Sequence, residues 1–179
     1  MRDLYFLAIL PPWPLARKID NIRHELWHRF GTQKTLNSPP HITLIPTFDF
    51  KDHQHLVAQF RRFAEDQPSF LVKCNGVDHF GEKTIFLGVE PNNALTDLQS
   101  RLVDFCRKEL VLSIPGSTRP YHPHITLATK DLKRDQFSEA WKRVQQTRIS
   151  ESFQVDGFYL LRHSGKRWLI DTIFDKLSL

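Results

Sequence analysis

Pro40-His41-Ile42-Thr43-Leu44 returns as Pro123-His124-Ile125-Thr126-Leu127, 83 residues further along the chain. Side chains of an extended strand alternate between its faces. His41 and Thr43 therefore share one face, and Ile42 and Leu44 the other. His124 and Thr126 stand in the same relation to Ile125 and Leu127. Each copy offers an imidazole and a hydroxyl to one side and two branched apolar groups to a core. A pair of core strands needs only the apolar half of this pattern. The identical polar half points to shared chemistry.

The repetition extends beyond the phrase. Phe70 lies 29 residues after His41, and Phe153 lies 29 after His124. Each opens a β-like run, Phe70-Leu71-Val72 and Phe153-Gln154-Val155. Thr84 and Arg167 each lie 43 residues after their histidine, and each begins another such run. A duplicated unit is expected, each half delivering one His and one Thr. Packed about a pseudo-twofold, both pairs can face one cleft.

The remaining elements follow from periodicity. A strand is expected over Tyr5 to Leu10, ended by Pro11 and Pro12. A helix to about Phe30 carries the stripe Leu15, Ile19, Ile22, Leu26, Phe30 and closes at Gly31. After the first motif strand, Asp52 caps a helix to about Ala64, with Leu56, Phe60 and Phe63 inward and His53 and His55 exposed. Strands from Phe70 and from Thr84 to Glu90 follow, joined by Asp78 to Glu82 as a hairpin connection. Asn92 or Asn93 caps a helix to about Leu110. Ser113 to Pro123, with Pro115, Gly116, Arg119 and Pro120, is a loop. The second motif strand leads to a helix from about Lys133 to Thr147. Two long strands, Phe153 to Leu161 and Arg167 to Phe174, turn at Arg162 to Lys166. The order implies one α+β domain over residues 1–179, made of two pseudo-symmetric lobes. It is expected to be bilobal, with two mostly antiparallel sheets backed by helices and a central cleft.

Composition narrows the class. The chain has 179 residues, is 40% hydrophobic, and holds 14 Phe and 4 Trp, enough for one substantial core. No run approaches the roughly 18–20 apolar residues of a membrane span. No signal-peptide pattern opens the chain. Cys74 and Cys106 lack metal-ligand spacing and read as buried small hydrophobes, so a cytoplasmic setting is expected. The net charge of +5 is compatible with a phosphate-bearing partner without requiring one.

His24-Glu25-Leu26-Trp27-His28 formally matches the H-E-x-x-H zinc motif. At about 100° per residue, both imidazoles lie roughly opposite the apolar stripe, on a solvated face flanked by Arg23 and Arg29. A catalytic zinc helix would aim them into a dry cleft. The expectation is therefore no metal and no cofactor.

The paired H-x-T motifs, their separation and the flanking Tyr121-His122-Pro123-His124-Ile125-Thr126-Leu127-Ala128 resemble the 2H phosphoesterase superfamily, in its LigT-like "2′-5′ RNA ligase" branch. The resemblance runs from the Tyr5 strand to the strand near Phe174. It implies catalytic roles for His41, Thr43, His124 and Thr126. It suggests His124 as base and His41 as acid, leaving a 2′-phosphate. The two motifs are nearly interchangeable, and a 3′-phosphate product would reverse the roles. Phe6 shares a strand face with Ala8, a position that lines the cleft in relatives, so Phe6 is a candidate for base stacking as well as for core. Tyr121 borders the second motif. Five residues after the second motif histidine, relatives often carry Arg or an aromatic; this chain has Thr129, followed by Lys130. Arg162, Lys166 and Arg167 form a basic hairpin tip.

Two imidazoles and two hydroxyls in one cleft suit phosphodiester chemistry. One neutral His can take a proton from water as it attacks phosphorus, while the other, protonated, supplies the departing ribose oxygen. Threonine hydroxyls can donate to the non-bridging oxygens, whose charge grows in the transition state. The expected activity is metal-independent hydrolysis of 2′,3′-cyclic phosphates, on RNA ends or small cyclic nucleotides, with 2′-5′ ligation as the reverse chemistry. No phosphate-binding G-x-x-x-x-G-K-[ST] loop supports an ATP-dependent ligase. The alternative is a non-catalytic module that binds RNA ends or nucleotides in the same cleft. A monomer is expected, with no membrane association.

Overall fold

The computed structural model describes residues 3–115 and 120–175, so Gly116 and Arg119 of the loop before the second motif lie outside the described residues. Among the described residues, four α-helices back eight strands. The strands are β1 (Asp3–Ile9), β2 (Ile42–Phe50), β3 (Phe70–Phe80), β4 (Thr84–Val89), β5 (His124–Ala128), β6 (Ser150–Val155), β7 (Gly157–His163) and β8 (Trp168–Asp175). The helices are α1 (Trp13–Phe30), α2 (His53–Ala64), α3 (Asn93–Lys108) and α4 (Phe137–Gln145). The caps behave as their residues dictate. Asp52 accepts from the His55 N–H at 2.9 Å and Asn92 from the Leu95 N–H at 2.9 Å. Gly31 ends α1 in the left-handed region at φ 74°.

Every pairing is antiparallel, in the order β6-β3-β4-β5-β2-β1-β7-β8. The two expected sheets are thus two four-stranded halves that meet edge to edge. Their junction is the single pair Ile42 opposite Ile125, so the motif strands β2 and β5 lie side by side at the centre. Each half draws strands from both parts of the chain. β3 leaves β1 and β2 and joins β4 and β6 in the other half.

The stretch Phe153 to Leu161 is not one long strand. β6 pairs with β3 in one half, and β7 pairs with β1 in the other. The chain changes halves at Asp156-Gly157. A Cβ on Gly157 would sit 2.0 Å from the Phe174 carbonyl oxygen of β8, so only glycine fits there. The hairpin after β3 is also tighter than expected, because Phe80 still belongs to the strand.

The sheet carries two apolar layers. Tyr5, Leu7 and Ile9 of β1 enter the main core under the helices, with Ile42, Leu44, Ile125 and Leu127. Phe6 and Ala8, on the opposite face, form a separate cluster with Leu161, joined by Tyr159 and Trp168. That second face carries the motif histidines. The helices swap partners beneath it: α1 lies against β5 and α3 against β2. Among the described residues, no helix is long and apolar enough to cross a membrane.

Candidate active site

With Ile42 opposite Ile125, the antiparallel register sets His41 opposite Thr126 and Thr43 opposite His124. The four motif side chains form one patch across the central seam. Both imidazoles are fixed in the same way. His41 Nδ1 donates to the Pro39 carbonyl at 2.7 Å, and His124 Nδ1 donates to the His122 carbonyl at 2.7 Å. A carbonyl can only accept, so Nδ1 holds the hydrogen and Nε2 is the nitrogen that exchanges a proton.

Aromatic rings wall the patch on both sides. Phe6 lies 4.8 Å from the His41 ring, centroid to centroid, and Trp168 meets Phe6 edge-on at 4.7 Å. On the other side, Phe86 lies 4.9 Å and Phe80 5.1 Å from His124, and His122 stands against Phe80 at 5.1 Å. Phe6 lies beside His41 but is buried at 5% exposure in the cluster with Ala8 and Leu161, which favours the core reading of the two that the sequence leaves open. Phe80, Phe86, His122 and Trp168 were not singled out. Phe86 reads as core because Ile85, Phe86 and Leu87 form a continuous apolar run, and Phe80 was assigned to a turn.

The seam leaves backbone carbonyls of the motif strands short of ladder partners, and side chains fill the gap. Tyr121 donates its hydroxyl to the Thr43 carbonyl at 2.8 Å. It acts as a strap on the first motif strand, and burial pushes its phenol pKa up. Gln99 reaches the Leu44 carbonyl at 3.4 Å. On the other strand, Arg23 of α1 donates through Nε (3.0 Å) and a terminal nitrogen (2.7 Å) to the Thr126 carbonyl, and to the Ser38 carbonyl at 3.3 Å. Thr35 reaches the Leu127 carbonyl at 3.3 Å.

Arg23 corrects the sequence reading, which put it on a solvated face. It is 1% exposed and occupies the helical stripe between Ile19 and Leu26. Spacing alone marked the position; the charge hid it. Burial lowers its pKa to about 10, and Asp20, 3.5 Å away, holds it up. The guanidinium is thus a fixed cation under the seam.

Its charge falls unequally on the two histidines. Burial lowers the His41 pKa to about 4, with Arg23 and then His124 adding repulsion against the Pro39 hydrogen bond. Burial also lowers that of His124, against the hydrogen bond to the His122 carbonyl and with a smaller repulsion from the His122 ring.

The other candidates scatter. Thr129 is half-buried beyond the end of β5, its hydroxyl 3.3 Å from that of Thr84. Lys130 is exposed beside the β3–β4 turn at Gly81 to Lys83, outside the histidine patch. His24 and His28 are exposed on α1 with Trp27 between them. Glu25 is held by Arg143 (2.9 Å to one guanidinium nitrogen) and by Arg29. His53 is half-buried rather than exposed, between the Tyr5 hydroxyl (3.4 Å) and Asp171 (3.5 Å). Among the described residues, no three His, Cys, Asp or Glu side chains group as metal ligands.

Comparison with known proteins gives the family and agrees with the fold. Residues 11–167 match the model of the 2′-5′ RNA ligase superfamily. A protein of Oceanobacillus iheyensis, assigned by name to the phosphoesterases, is 30% identical over 95% of this chain and 96% of its own. A Geobacillus protein of the same description is 25% identical over 88% and 86%. Among solved structures, a Thermus thermophilus protein superposes with a TM-score of 0.68 at 20% identity, covering 98% of this chain and 97% of the other. Escherichia coli LigT, crystallised with 3′-AMP, also gives 0.68, at 17% identity and 98% coverage of both chains. The chain belongs to the 2′-5′ RNA ligase superfamily of 2H phosphoesterases.

Proposed function

We propose that the protein hydrolyses 2′,3′-cyclic phosphates of RNA ends or nucleotides without a metal, as one domain of two pseudo-symmetric lobes. The observation that carries this is the pair of imidazoles, each locked through Nδ1–H at 2.7 Å, on one face of the sheet on either side of the β2–β5 seam. Nε2 of one accepts the proton of the attacking water as its oxygen bonds to phosphorus. The P–O3′ bond breaks, and O3′ takes a proton from Nε2–H of the other. One water is added, and a 2′-phosphate remains. Thr43 and Thr126 donate to the non-bridging oxygens. If an RNA 5′-hydroxyl attacks in place of water, the same steps leave a 2′-5′ linkage.

Burial separates the histidines, and Arg23 adds to it. A buried cation near His41 disfavours a second positive charge there. We assign His41 as base and His124, further from that charge, as acid. This is the reverse of the roles suggested by the family resemblance, and the 2′-phosphate is kept only with the cyclic phosphate bound in the opposite sense, O3′ toward His124 and the attacking water on the His41 side; bound as the resemblance implies, the same roles would leave a 3′-phosphate. Crystals of Escherichia coli LigT hold 3′-AMP, ATP, NADP+ and phosphate, so a related protein accepts nucleotides and phosphate. Cys74 and Cys106 are buried, with thiol pKa values pushed up to about 12, inert groups that fit a monomer working in a reducing cytoplasm.

The test incubates wild type, His41→Ala and His124→Ala with EDTA against nucleoside 2′,3′-cyclic phosphates and against a p-nitrophenyl phosphodiester. Cyclic-phosphate turnover should be lost in both variants, each by about 10²–10⁴-fold. The p-nitrophenyl leaving group needs no acid, so His124→Ala should recover on that substrate and His41→Ala should not. Recovery of His41→Ala alone would restore the opposite assignment. Absence of any wild-type turnover, with histidine-dependent nucleotide binding, would favour a binding module.

A further inference from the structure

A cavity of about 440 Å³ opens at Pro39, two residues before His41, outside the histidine patch. Its size lies within the roughly 300–1,000 Å³ range of small-molecule sites. The segment from Gln33 to Pro39 lines one side, and Trp27 of α1 and Trp168 of β8 contribute indole walls. It adjoins the reacting centre at two points. Pro39 carries the carbonyl that holds His41. Trp168 packs on Phe6, which packs on His41.

The lining is built for a flat, polar-edged ring. Trp27 is 39% exposed, so part of its indole is open to a partner. Asn37 and Gln33 are exposed amides, each with donors and an acceptor, as base edges require. Arg167, exposed on the turn before β8, adds a guanidinium suited to a phosphate. The wall is also fixed in place. The Asp131 carboxylate, three residues past the second motif strand, accepts the backbone N–H of Gln33 and of Lys34, each at 2.8 Å. The cavity also explains the face carrying His24 and Trp27, which the catalytic reading leaves idle: both line it.

We propose that this cavity is a nucleobase subsite for the nucleotide next to the one bearing the reactive phosphate, so that the substrate is an RNA end rather than a free cyclic mononucleotide. This rests on the phosphoesterase reading of the histidine patch. The adjoining base stacks on Trp27, Asn37 reads its edge, and Arg167 meets the linking phosphate.

The test compares kcat/KM for adenosine 2′,3′-cyclic phosphate and for the adenylyl-adenosine dinucleotide ending in the same cyclic phosphate. Wild type should favour the dinucleotide by about 5- to 100-fold, the range that one stacked base supplies. Trp27→Ala and Asn37→Ala change exposed side chains, and circular dichroism checks their folding. Each should lower the dinucleotide-to-mononucleotide ratio, Trp27→Ala to near one. A wild-type ratio near one, or a preference that survives in Trp27→Ala, would overturn the subsite. If wild type turns over neither compound, the phosphoesterase reading fails by itself. The subsite is then judged by calorimetry, as the same affinity ratio for the 3′-phosphorylated dinucleotide and mononucleotide.

Discussion

His41 and His124 are near-twins in sequence, and the deeper burial of His41, with the buried Arg23 adding to it, makes them unequal. Two consequences can be measured. The first concerns activity. In the proposed mechanism the base is neutral and the acid protonated in the free protein, and burial lowers both pKa values below the usual 6.5. The kcat/KM profile should therefore peak on the acid side of neutrality, falling at low pH as His41 takes a proton and at higher pH as His124 loses one. Arg23→Gln removes the cation, raises the His41 pKa and moves the acid limb to higher pH. Arg23→Lys keeps the charge and should leave that limb near its place, though both variants lose about 1–3 kcal/mol by leaving the Thr126 and Ser38 carbonyls poorly met. An acid limb unmoved in Arg23→Gln would remove Arg23 from the assignment. The second consequence concerns stability. A histidine whose folded pKa is lowered takes up its proton first in the unfolded chain. Stability is therefore unaffected above about pH 6.5 and is lost as pH falls from there toward about 4. Between about pH 7 and pH 5 this amounts to about 2 kcal/mol. Urea titrations should show that loss in wild type, and His41→Gln should lose less over the same interval.

At the scale of elements, the sequence was legible where local chemistry decides and opaque where pairing decides. The caps at Asp52, Asn92 and Gly31, and both motif strands, follow from residues a few positions apart. The break between β6 and β7 does not, because alternation runs on from Phe153 through Leu161 and only the sheet partners change. Its one local sign is Asp156-Gly157, a turn dipeptide inside a β-like run. The aromatic wall was hidden for a related reason: β3 had to extend through Phe80 before Phe80 and Phe86 could flank His124. Arg23 was hidden because a helical stripe is sought among apolar residues. Gly157→Ala tests the crossing point. The new methyl would meet backbone rather than a movable side chain, so β7 and β8 must part. The expected loss is about 1–3 kcal/mol or more, read from the urea midpoint. A neutral result would mean that the strands separate there without cost. Tyr121→Phe tests the strap. Loss of the 2.8 Å bond to Thr43 should cost about 0.5–1.5 kcal/mol and lower turnover by loosening the first motif. Unchanged turnover at reduced stability would make the strap structural only.

At the scale of the molecule, duplication in sequence does not give two separable bodies. β1 and β2 pair with each other and with β5 and β7, while β3, from the same repeat, pairs with β4 and β6. A chain cut between the repeats, after β4, would leave the β3–β4 hairpin of its first part without β6 on one side and β5 on the other. Its second part would keep β7 and β8 without β1. The helices repeat the exchange, α1 supporting β5 and α3 supporting β2. Neither repeat can therefore complete a core alone, and the site at the seam exists only when both are folded. Urea unfolding followed by far-ultraviolet circular dichroism and by tryptophan fluorescence should give one coincident transition. Core substitutions in either half, Leu56→Ala under α2 or Val144→Ala in α4, should move the whole transition. The isolated fragments 1–90 and 91–179 should each be unfolded, and mixing them should restore structure together with any activity. Two resolved transitions, or a fragment folded alone, would show that the lobes are independent bodies. The interleaved pairing would then contribute little to cooperativity, and the coupling of the two histidines would rest on the Ile42–Ile125 junction and the Arg23 bridge alone.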